Sequence, residues 1–283
     1  MSVSKAIEKG RKEVPILGEV VSWNLYGIEF PEEPFGERYQ ELELPTFCYY
    51  NRRVRSALTK TLKVMEKHNL IRRVGETETE VTFLIVEEHK QLETRDIDFH
   101  KKNAVTYDKI TKSLEFRHKG PKEEEFREMF EKYRHLITGR EISRIFVRLA
   151  TTYGIPLQSG GGTYFIPKSS LFVLDKMDQL LEGTGGTILR LGISDLSQYR
   201  DTMTQVVRRE LLGEVKKFEK EVKKLEVKYA DEGIKESVLD RKISRVRKFA
   251  EKPGLFQGLG IDAKEIQDET LKCMKKLKNI RMK

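Results

Sequence analysis

The chain has 283 residues, and its 54 Lys and Arg exceed its 45 Asp and Glu by nine. No run approaches the ~20 consecutive apolar residues of a membrane span, and the first residues lack the apolar core of a signal peptide. We therefore expect neither a membrane protein nor an exported one. The two cysteines, Cys48 and Cys273, form neither a disulfide framework nor a zinc-binding pattern, which favours a cytoplasmic protein.

The positive charge is concentrated in two parts of the chain. Residues 1–50 carry a net charge of −4, residues 51–73 carry +7, residues 74–200 carry −1 and residues 201–283 carry +7. Clustering of this kind is typical of a surface that binds a polyanion. It also arises when a solvated helix face pairs with acidic residues elsewhere, and the acidic N-terminal region offers such a partner.

The first 50 residues predict a short helix followed by strands. The helix is expected at Ser4–Lys9, and the run Ile16–Phe30 is rich in the β-branched and aromatic residues of strands. An acidic stretch follows, interrupted by Pro31, Pro34 and Pro45. Prolines at this density predict a loop.

Residues 51–69 have the pattern of an amphipathic helix. The apolar residues that share one arc, at about 100° per residue, are Val54, Leu58, Leu62 and Met65. The cationic residues on the opposite arc are Arg53, Lys60, Lys63 and Lys67. The helix thus separates a face for burial from a face for solvent or for a polyanion.

Two hairpins are predicted after this helix. The first pairs residues 70–73 with residues 81–86, and the second pairs residues 104–107 with residues 113–116. A helix followed by a two-stranded hairpin has the outline of a winged-helix module. Two adjacent arginines on the first strand would then belong to the wing.

A second helix–hairpin run follows a charged helix at about residues 122–133. Residues 138–141 fit a capping box at the start of a further helix, and strands at residues 155–157 and 163–166 flank a glycine turn. The order of helix, strand, turn and strand therefore occurs twice, which predicts a structural duplication. The arginines on one face of this second helix are Arg140, Arg144 and Arg148.

From about residue 197 the apolar spacing becomes that of a coiled coil. The residues of this seam are Val207, Leu211, Val215, Phe218, Val222, Leu225 and Tyr229. Two further helices, at about residues 235–251 and 266–280, carry matching seams, and the loop between them is expected to expose Leu255 and Phe256. The seams predict a helical hairpin or bundle that closes either within the chain or between chains.

One strand pattern suits a metal ion, because Asp96, Asp98 and His100 alternate and would share a face. A divalent ion there would activate water for phosphodiester cleavage. Asp108 followed by Glu115 and Arg117 is weakly similar to a nuclease pattern of a carboxylate and then Glu-x-Lys, with an arginine at the lysine position and a shorter spacing. A polar strand face in water explains both groups, and we favour this interpretation. Since no phosphate-binding loop, catalytic nucleophile or cofactor motif occurs elsewhere, we favour a non-enzymatic protein without cofactor or metal.

The predicted fold is α+β, with two small helix–hairpin, winged-helix-like modules followed by a long α-helical hairpin or coiled-coil arm. The predicted domains are residues 1–121, an N-terminal module with the basic helix and its wing-like hairpin, residues 122–196, the second module, and residues 197–283, the arm. The arm would mediate assembly, by self-association or with a partner protein.

The leading predicted function is non-enzymatic binding of nucleic acid, chiefly duplex DNA, through backbone contacts. The alternative is an interaction or scaffold subunit of a larger or homo-oligomeric complex, and the third hypothesis is a metal-dependent nuclease. The residues predicted to bind nucleic acid are Arg52, Arg53, Arg55, Lys60, Lys63, Lys67, Arg72, Arg73, Arg140, Arg144 and Arg148.

Overall fold

The computed structural model describes residues 15–49, 54–67, 70–90, 97–117, 121–158, 161–232 and 236–281. Within these residues the chain combines eight α-helices with three antiparallel sheets, so the mixed helical and sheet class is confirmed. The elements group into two compact units. Unit 1 contains the described residues of Met1–Ile28, Leu42–Cys48 and Gly139–Lys283, and unit 2 those of Glu29–Glu41 and Tyr49–Thr138. Both units are discontinuous, whereas the predicted domains are contiguous.

The elements are numbered in chain order. The strands are β1 (Ile16–Asn24), β2 (Glu29–Pro31), β3 (Leu70–Glu76), β4 (Glu80–Lys90), β5 (Ile97–Asp108), β6 (Leu114–Phe116), β7 (Leu136–Thr138), β8 (Ile155–Pro156), β9 (Tyr164–Pro167) and β10 (Thr187–Ser194). The helices are α1 (Glu32–Glu41), α2 (Val54–Met65), α3 (Pro121–Arg134), α4 (Gly139–Tyr153), α5 (Phe172–Leu181), α6 (Ser197–Glu232), α7 (Glu236–Glu251) and α8 (Ala263–Arg281). None of these described helices has both the length and the apolar content of a membrane span.

Unit 2 is built on the antiparallel sheet β3-β4-β5-β6. Both predicted hairpins are confirmed, and the pairing of β4 with β5 joins them into one meander. Alternate side chains of a strand share one face, and on one face of this sheet Val81, Ile85 and Val105 are buried. The helices α2 and α3 contribute to the same core, α3 through Phe126 and Phe130.

The predicted basic helix is confirmed as α2. Its apolar arc is buried at Leu58, Leu62 and Met65, which pack in the core of unit 2. The 3.6-residue periodicity was sufficient to identify both the helix and its buried side.

The loop predicted around Pro31, Pro34 and Pro45 is wrong over most of its length, because α1 lies there. Pro34 occupies the first turn of α1, where a helix does not need the backbone N–H that proline lacks. The acidic residues of the same turn are favoured by the helix dipole. The helix buries Phe35 and Tyr39, four residues apart on one face.

Unit 1 contains a four-stranded sheet in the order β10-β1-β9-β8. The central strand β1 pairs with β10, where Val21 faces Arg190, and with β9, where Val20 faces Phe165. The strands predicted after α4 are confirmed as β8 and β9, but they complete a sheet around β1. The two helix–hairpin runs therefore differ in topology, which gives no support to the predicted duplication.

An ion-pair network joins α5 to the sheet of unit 1. The guanidinium of Arg190 on β10 lies 2.6 Å from a carboxylate oxygen of Glu19 on β1. It also lies 2.7 Å from Asp175 and 2.9 Å from Asp178, both on α5. The hydrogen bonds to Glu19 raise the pKa of Arg190 above its usual value. One cation thus connects three elements.

The apolar seams of the three C-terminal helices pack against one another within the chain. The seam residues buried on α6 are Val207, Leu211, Val215, Phe218 and Val222. They share one core with α7, with α8 and with Leu17 and Phe165 of the sheet. The bundle therefore has no core separate from that of the sheet, and self-association through the same seams would require these helices to part.

The prediction that a loop exposes Leu255 and Phe256 is wrong. Residues Lys252–Leu259 form a 3₁₀ helix in which Phe256 is fully buried and Leu255 is half-buried. The hydroxyl of Ser169 donates a hydrogen bond of 3.0 Å to the carbonyl of Leu255. These two residues are therefore part of the core of unit 1 and not an exposed contact for a partner.

Gly139, the first residue of α4, lies so close to Leu25, the residue that follows β1, that a side chain does not fit. A Cβ there would lie 1.8 Å from the carbonyl oxygen of Leu25. We expect Gly139→Ala to lower the free energy of unfolding by about 3 kcal/mol, measured by urea denaturation. The matched control is Gly213→Ala within α6, where no neighbour lies within 4 Å. It should stabilise the protein by about 0.5–1 kcal/mol, and equal effects of the two changes would contradict this packing.

Candidate functional site

The predicted basic face of α2 is partly neutralised within unit 2. The amine of Lys60 lies 2.5 Å from a carboxylate oxygen of Glu29 and 4.3 Å from the centre of the Tyr133 ring. Glu29 belongs to the acidic N-terminal region, so this lysine has the intramolecular partner that the alternative interpretation requires. Lys63 and Lys67 are exposed and form no ion pair with any described residue.

The two arginines of the predicted wing are exposed on β3, an edge strand of the meander. Arg73 lies 2.5 Å from Glu76, whose other carboxylate oxygen lies 2.9 Å from Lys109. Arg72 forms no ion pair within the part of the chain that the structure describes. Of the remaining predicted residues of this region, Arg52, Arg53 and the side chain of Arg55 lie outside the described part.

The arginine row of α4 is exposed at all three predicted positions in unit 1. We refer to Arg140, Arg144 and Arg148 as the α4 strip. An α-helix rises about 1.5 Å per residue, so successive arginines of the strip are about 6 Å apart along the axis. The opposite side of α4 is fully buried at Ile142, Ile145, Phe146 and Leu149. The strip therefore stands on a helix whose rotation is restricted by its core.

Trp23 of β1 orients α4. Its indole N–H donates a hydrogen bond of 3.0 Å to the hydroxyl of Ser143. Its ring makes an edge contact with Phe146, at 5.6 Å between ring centres, and stacks on Tyr164 of β9 at 5.3 Å. The central strand of the sheet thus holds the helix that carries the strip.

A lysine from α7 lies near the end of the α4 strip. Cys48 is buried, and its sulfur lies 3.8 Å from the hydroxyl of Thr152. Burial raises the pKa of the Cys48 thiol, and the hydrogen bond with Thr152 and the charges of Arg148 and Lys248 oppose that rise. Lys248 is exposed on α7 and lines a cavity together with Thr151 and Thr152 at the end of α4, so it adds a cation near the end of the strip.

A cavity of about 620 Å³ lies at the C-terminal end of α4. Its lining combines apolar side chains with cations from α7 and carboxylates from α6. The apolar part includes Phe47, Tyr153, Ile155, Phe218, Phe249 and Leu255. The amine of Lys248 lies 4.0 Å from the centre of the Phe47 ring. The volume and the mixed lining suit a small ligand with an apolar body and a few polar groups.

Lys252 places an amine in the wall of this cavity. The amine donates a hydrogen bond of 2.6 Å to the carbonyl of Thr151, and it forms no ion pair with any described residue. Burial lowers the pKa of Lys252 to about 8, and the charge of Glu214 opposes part of that shift. A buried ammonium without a carboxylate partner is costly, and groups with perturbed pKa values concentrate at functional sites.

The cavity's carboxylates are mostly engaged by other cations. Glu214 lies 2.5 Å from Lys217, and Glu210 lies 3.6 Å from Arg209. Glu251 is exposed. The amines of Lys248 and Lys252 form no ion pair with any described residue, and the Glu214 charge that acts on Lys252 is shared with Lys217. The arrangement therefore favours an anionic group on a ligand.

Two residues of this cavity, Phe47 and Lys252, were not predicted from the sequence. Phe47 follows Pro45 in a stretch that reads as a polar loop, and Lys252 precedes Pro253 in a segment expected to be exposed. Pro253 does mark the end of a helix pattern. Nothing in the local sequence indicates that Lys252 is buried against α4, because that contact joins distant segments.

The predicted metal site is not described by the structure. Asp96 and the side chains of Asp98 and His100 lie outside the described residues. Asp108 accepts hydrogen bonds from the backbone N–H groups of Thr111 and Ile110, at 3.0 and 2.6 Å, which lower its pKa. This carboxylate therefore stabilises the turn between β5 and β6. Among the described side chains, no three of the types His, Cys, Asp and Glu are arranged to hold a metal ion.

The lowered pKa of Lys252 can be tested through the pH dependence of folding stability. Between pH 8 and pH 10.5 the unfolded chain holds a proton that the folded chain has lost, so the stability of the wild type rises with pH in this window. We expect Lys252→Met to raise the free energy of unfolding by about 1–3 kcal/mol at neutral pH. Urea denaturation should show this difference shrinking as the pH rises from 8 to 10.5. A difference that stays constant over this range would contradict the assignment.

Comparison with known proteins identifies one family. Its model is described as a family of unknown function (DUF6744) and matches residues 16–269. No curated protein and no solved structure matches the chain. The matched residues include the α4 strip, Phe47 and Lys252, and they cover most of both compact units. The chain therefore belongs to this family, DUF6744.

Proposed function

We propose that this protein binds nucleic acid through the phosphate backbone, with the α4 strip and Lys248 as the main contact surface. The observation that carries this proposal is the row of three exposed arginines, about 6 Å apart along one helix. The guanidinium group matches the geometry of a phosphate and donates paired hydrogen bonds to it. A regular row of such groups suits a backbone with regularly spaced charges.

The support beneath the strip favours the same function. The strip's helix is anchored by four fully buried apolar side chains and by the hydrogen bond from Trp23, so phosphate contacts would require little ordering of the backbone. Phe47 is 54% exposed beside Lys248. An aromatic ring next to cations is the combination that proteins use to stack unpaired bases.

The basic helix of unit 2 would supply a second, weaker surface. Lys63, Lys67 and Arg72 are exposed there, and in a winged-helix-like use of this unit α2 and the hairpin would contact duplex DNA. Lys60 has Glu29 as a partner, so it would have to exchange that carboxylate for a phosphate. The bundle α6–α8 would serve assembly.

Neutralising the α4 strip should weaken nucleic-acid binding. We expect Arg140→Gln, Arg144→Gln and Arg148→Gln together to reduce the slope of log affinity against log salt by about 3 on duplex DNA, because each phosphate contact contributes about 0.9. The measurement is fluorescence anisotropy between about 50 and 200 mM salt, with a labelled duplex and a single strand of equal length.

The matched control replaces three exposed lysines of α8 by glutamine, Lys264, Lys275 and Lys278. It makes the same change in net charge away from the strip, so its salt slope should equal that of the wild type. Circular dichroism checks that both variants are folded. A wild type that binds neither probe, or two triple variants that weaken binding equally, would overturn the proposal.

One observation favours the alternative function of an interaction or scaffold subunit. Within the described residues β10 is an edge strand, and its Leu189 and Leu191 are 58% and 54% exposed. An exposed edge with apolar side chains is a template for pairing with another strand.

Charged residues on this edge should prevent such pairing. We expect Leu189→Lys with Leu191→Lys to convert a discrete oligomer into a monomer, measured by size-exclusion chromatography with light scattering. An oligomer that persists in high salt and without nucleic acid would support the scaffold function. A wild type that is monomeric at all concentrations tested would exclude it for homo-oligomers.

A further inference from the structure

The cavity of unit 1 continues the α4 strip. Thr152 follows Arg148 by four residues, the same interval that separates the arginines of the strip, and it lines the cavity. A strand whose phosphates follow the strip would therefore bring its next nucleotide to the mouth of the cavity. This placement suggests that the two features serve one ligand.

The chemistry of the cavity specifies what it can hold. Lys252 and Lys248 supply two amines that form no ion pair with any described residue. The charge of Glu214 acts on Lys252, but Glu210 and Glu214 themselves pair with other cations. The remaining wall is aromatic and aliphatic. A suitable ligand therefore has a flat apolar body and an anionic group, within a volume of about 620 Å³.

We propose that this cavity binds a nucleoside phosphate, with the base against the apolar wall near Phe47 and Phe249 and the phosphate at Lys252 and Lys248. The inference rests on the proposed function, because nucleic acid is the ligand class that the α4 strip indicates. The occupant is either a free mononucleotide or an unstacked nucleotide of a bound strand, and the two share the same chemistry.

A phosphate bound at Lys252 would also offset the free-energy cost of burying the lysine ammonium. Without a ligand the amine has the Thr151 carbonyl as its hydrogen-bond acceptor and no carboxylate among the described residues within ion-pair distance. A phosphate would provide the missing negative charge and would favour the protonated amine. We therefore expect Lys252→Met to have two opposite effects: it should raise the free energy of unfolding, and it should weaken binding of the phosphate.

Binding of adenosine 5′-monophosphate, measured by calorimetry and by saturation-transfer NMR, tests the cavity directly. We expect Lys252→Met to weaken this binding about tenfold or more, because a charge-assisted contact is lost, and Lys275→Met on the exposed side of α8 to leave it unchanged. Phe47→Ala should weaken binding of the nucleotide but not of ribose 5-phosphate, which has no base. Adenosine alone should bind more weakly than its monophosphate in the wild type, and this difference should be smaller in Lys252→Met, where Lys248 is the remaining phosphate contact.

Variants of the strip separate this inference from the proposed function. Replacement of all three strip arginines by glutamine should leave adenosine 5′-monophosphate binding intact while it weakens duplex binding. A wild type that binds duplex DNA in a salt-dependent way but does not bind the mononucleotide would overturn the cavity proposal alone. Mononucleotide binding without any binding of duplex or single strand would overturn the proposed function alone.

Competition identifies the source of the nucleotide. A duplex with a short single-stranded overhang that displaces the mononucleotide, where a blunt duplex does not, would show that the cavity takes a nucleotide of a strand. Displacement by neither would show that it takes the free nucleotide. Either outcome supports the cavity proposal, whereas equal binding of the mononucleotide to wild type and Lys252→Met would contradict it.

Discussion

The strand β1 is the element on which the rest of unit 1 depends. It lies between β9 and β10, whose residues come from far later in the chain. The approach of β1 to β9 is close, since a Cβ at Gly18 would lie 2.2 Å from the carbonyl oxygen of Ile166. Through Trp23 the same strand orients α4, and through Glu19 it holds Arg190 and hence α5. The position of the α4 strip is therefore a consequence of sheet pairing.

The C-terminal bundle contributes to the site because its core is shared with the sheet. The seam of α6 packs on Leu17 and Phe165, and this packing brings α7 and the 3₁₀ helix Lys252–Leu259 to the end of α4. Lys248 and Lys252 come from that region, and Phe47 comes from the short segment Leu42–Cys48. The candidate site thus combines three segments that are distant in sequence, within one compact unit.

The net charge of the chain does not by itself indicate where a polyanion could bind, because many cations pair with nearby carboxylates. In the bundle, Glu221 pairs with both Lys242 and Arg245, and Arg208 pairs with Glu265. Exposed pairs of this kind contribute about 0–1 kcal/mol each to stability, and they also lower the local potential. In unit 2, Glu29 does the same for Lys60. The surfaces that best suit a polyanion are therefore smaller than the sequence charge suggests.

Local sequence patterns were sufficient to predict α2, the buried face of α4 and the apolar seams of α6, α7 and α8. Helix and strand periodicities depend on neighbouring residues alone. They also identified the exposed arginines of α4. The sequence did not reveal that α1 replaces a loop, that Phe256 is buried, that β9 pairs with β1 or that Phe47 and Lys252 share a cavity. Each of these depends on contacts between residues far apart in the chain. Burial and strand pairing are properties of the folded whole, and only the tertiary structure decided them.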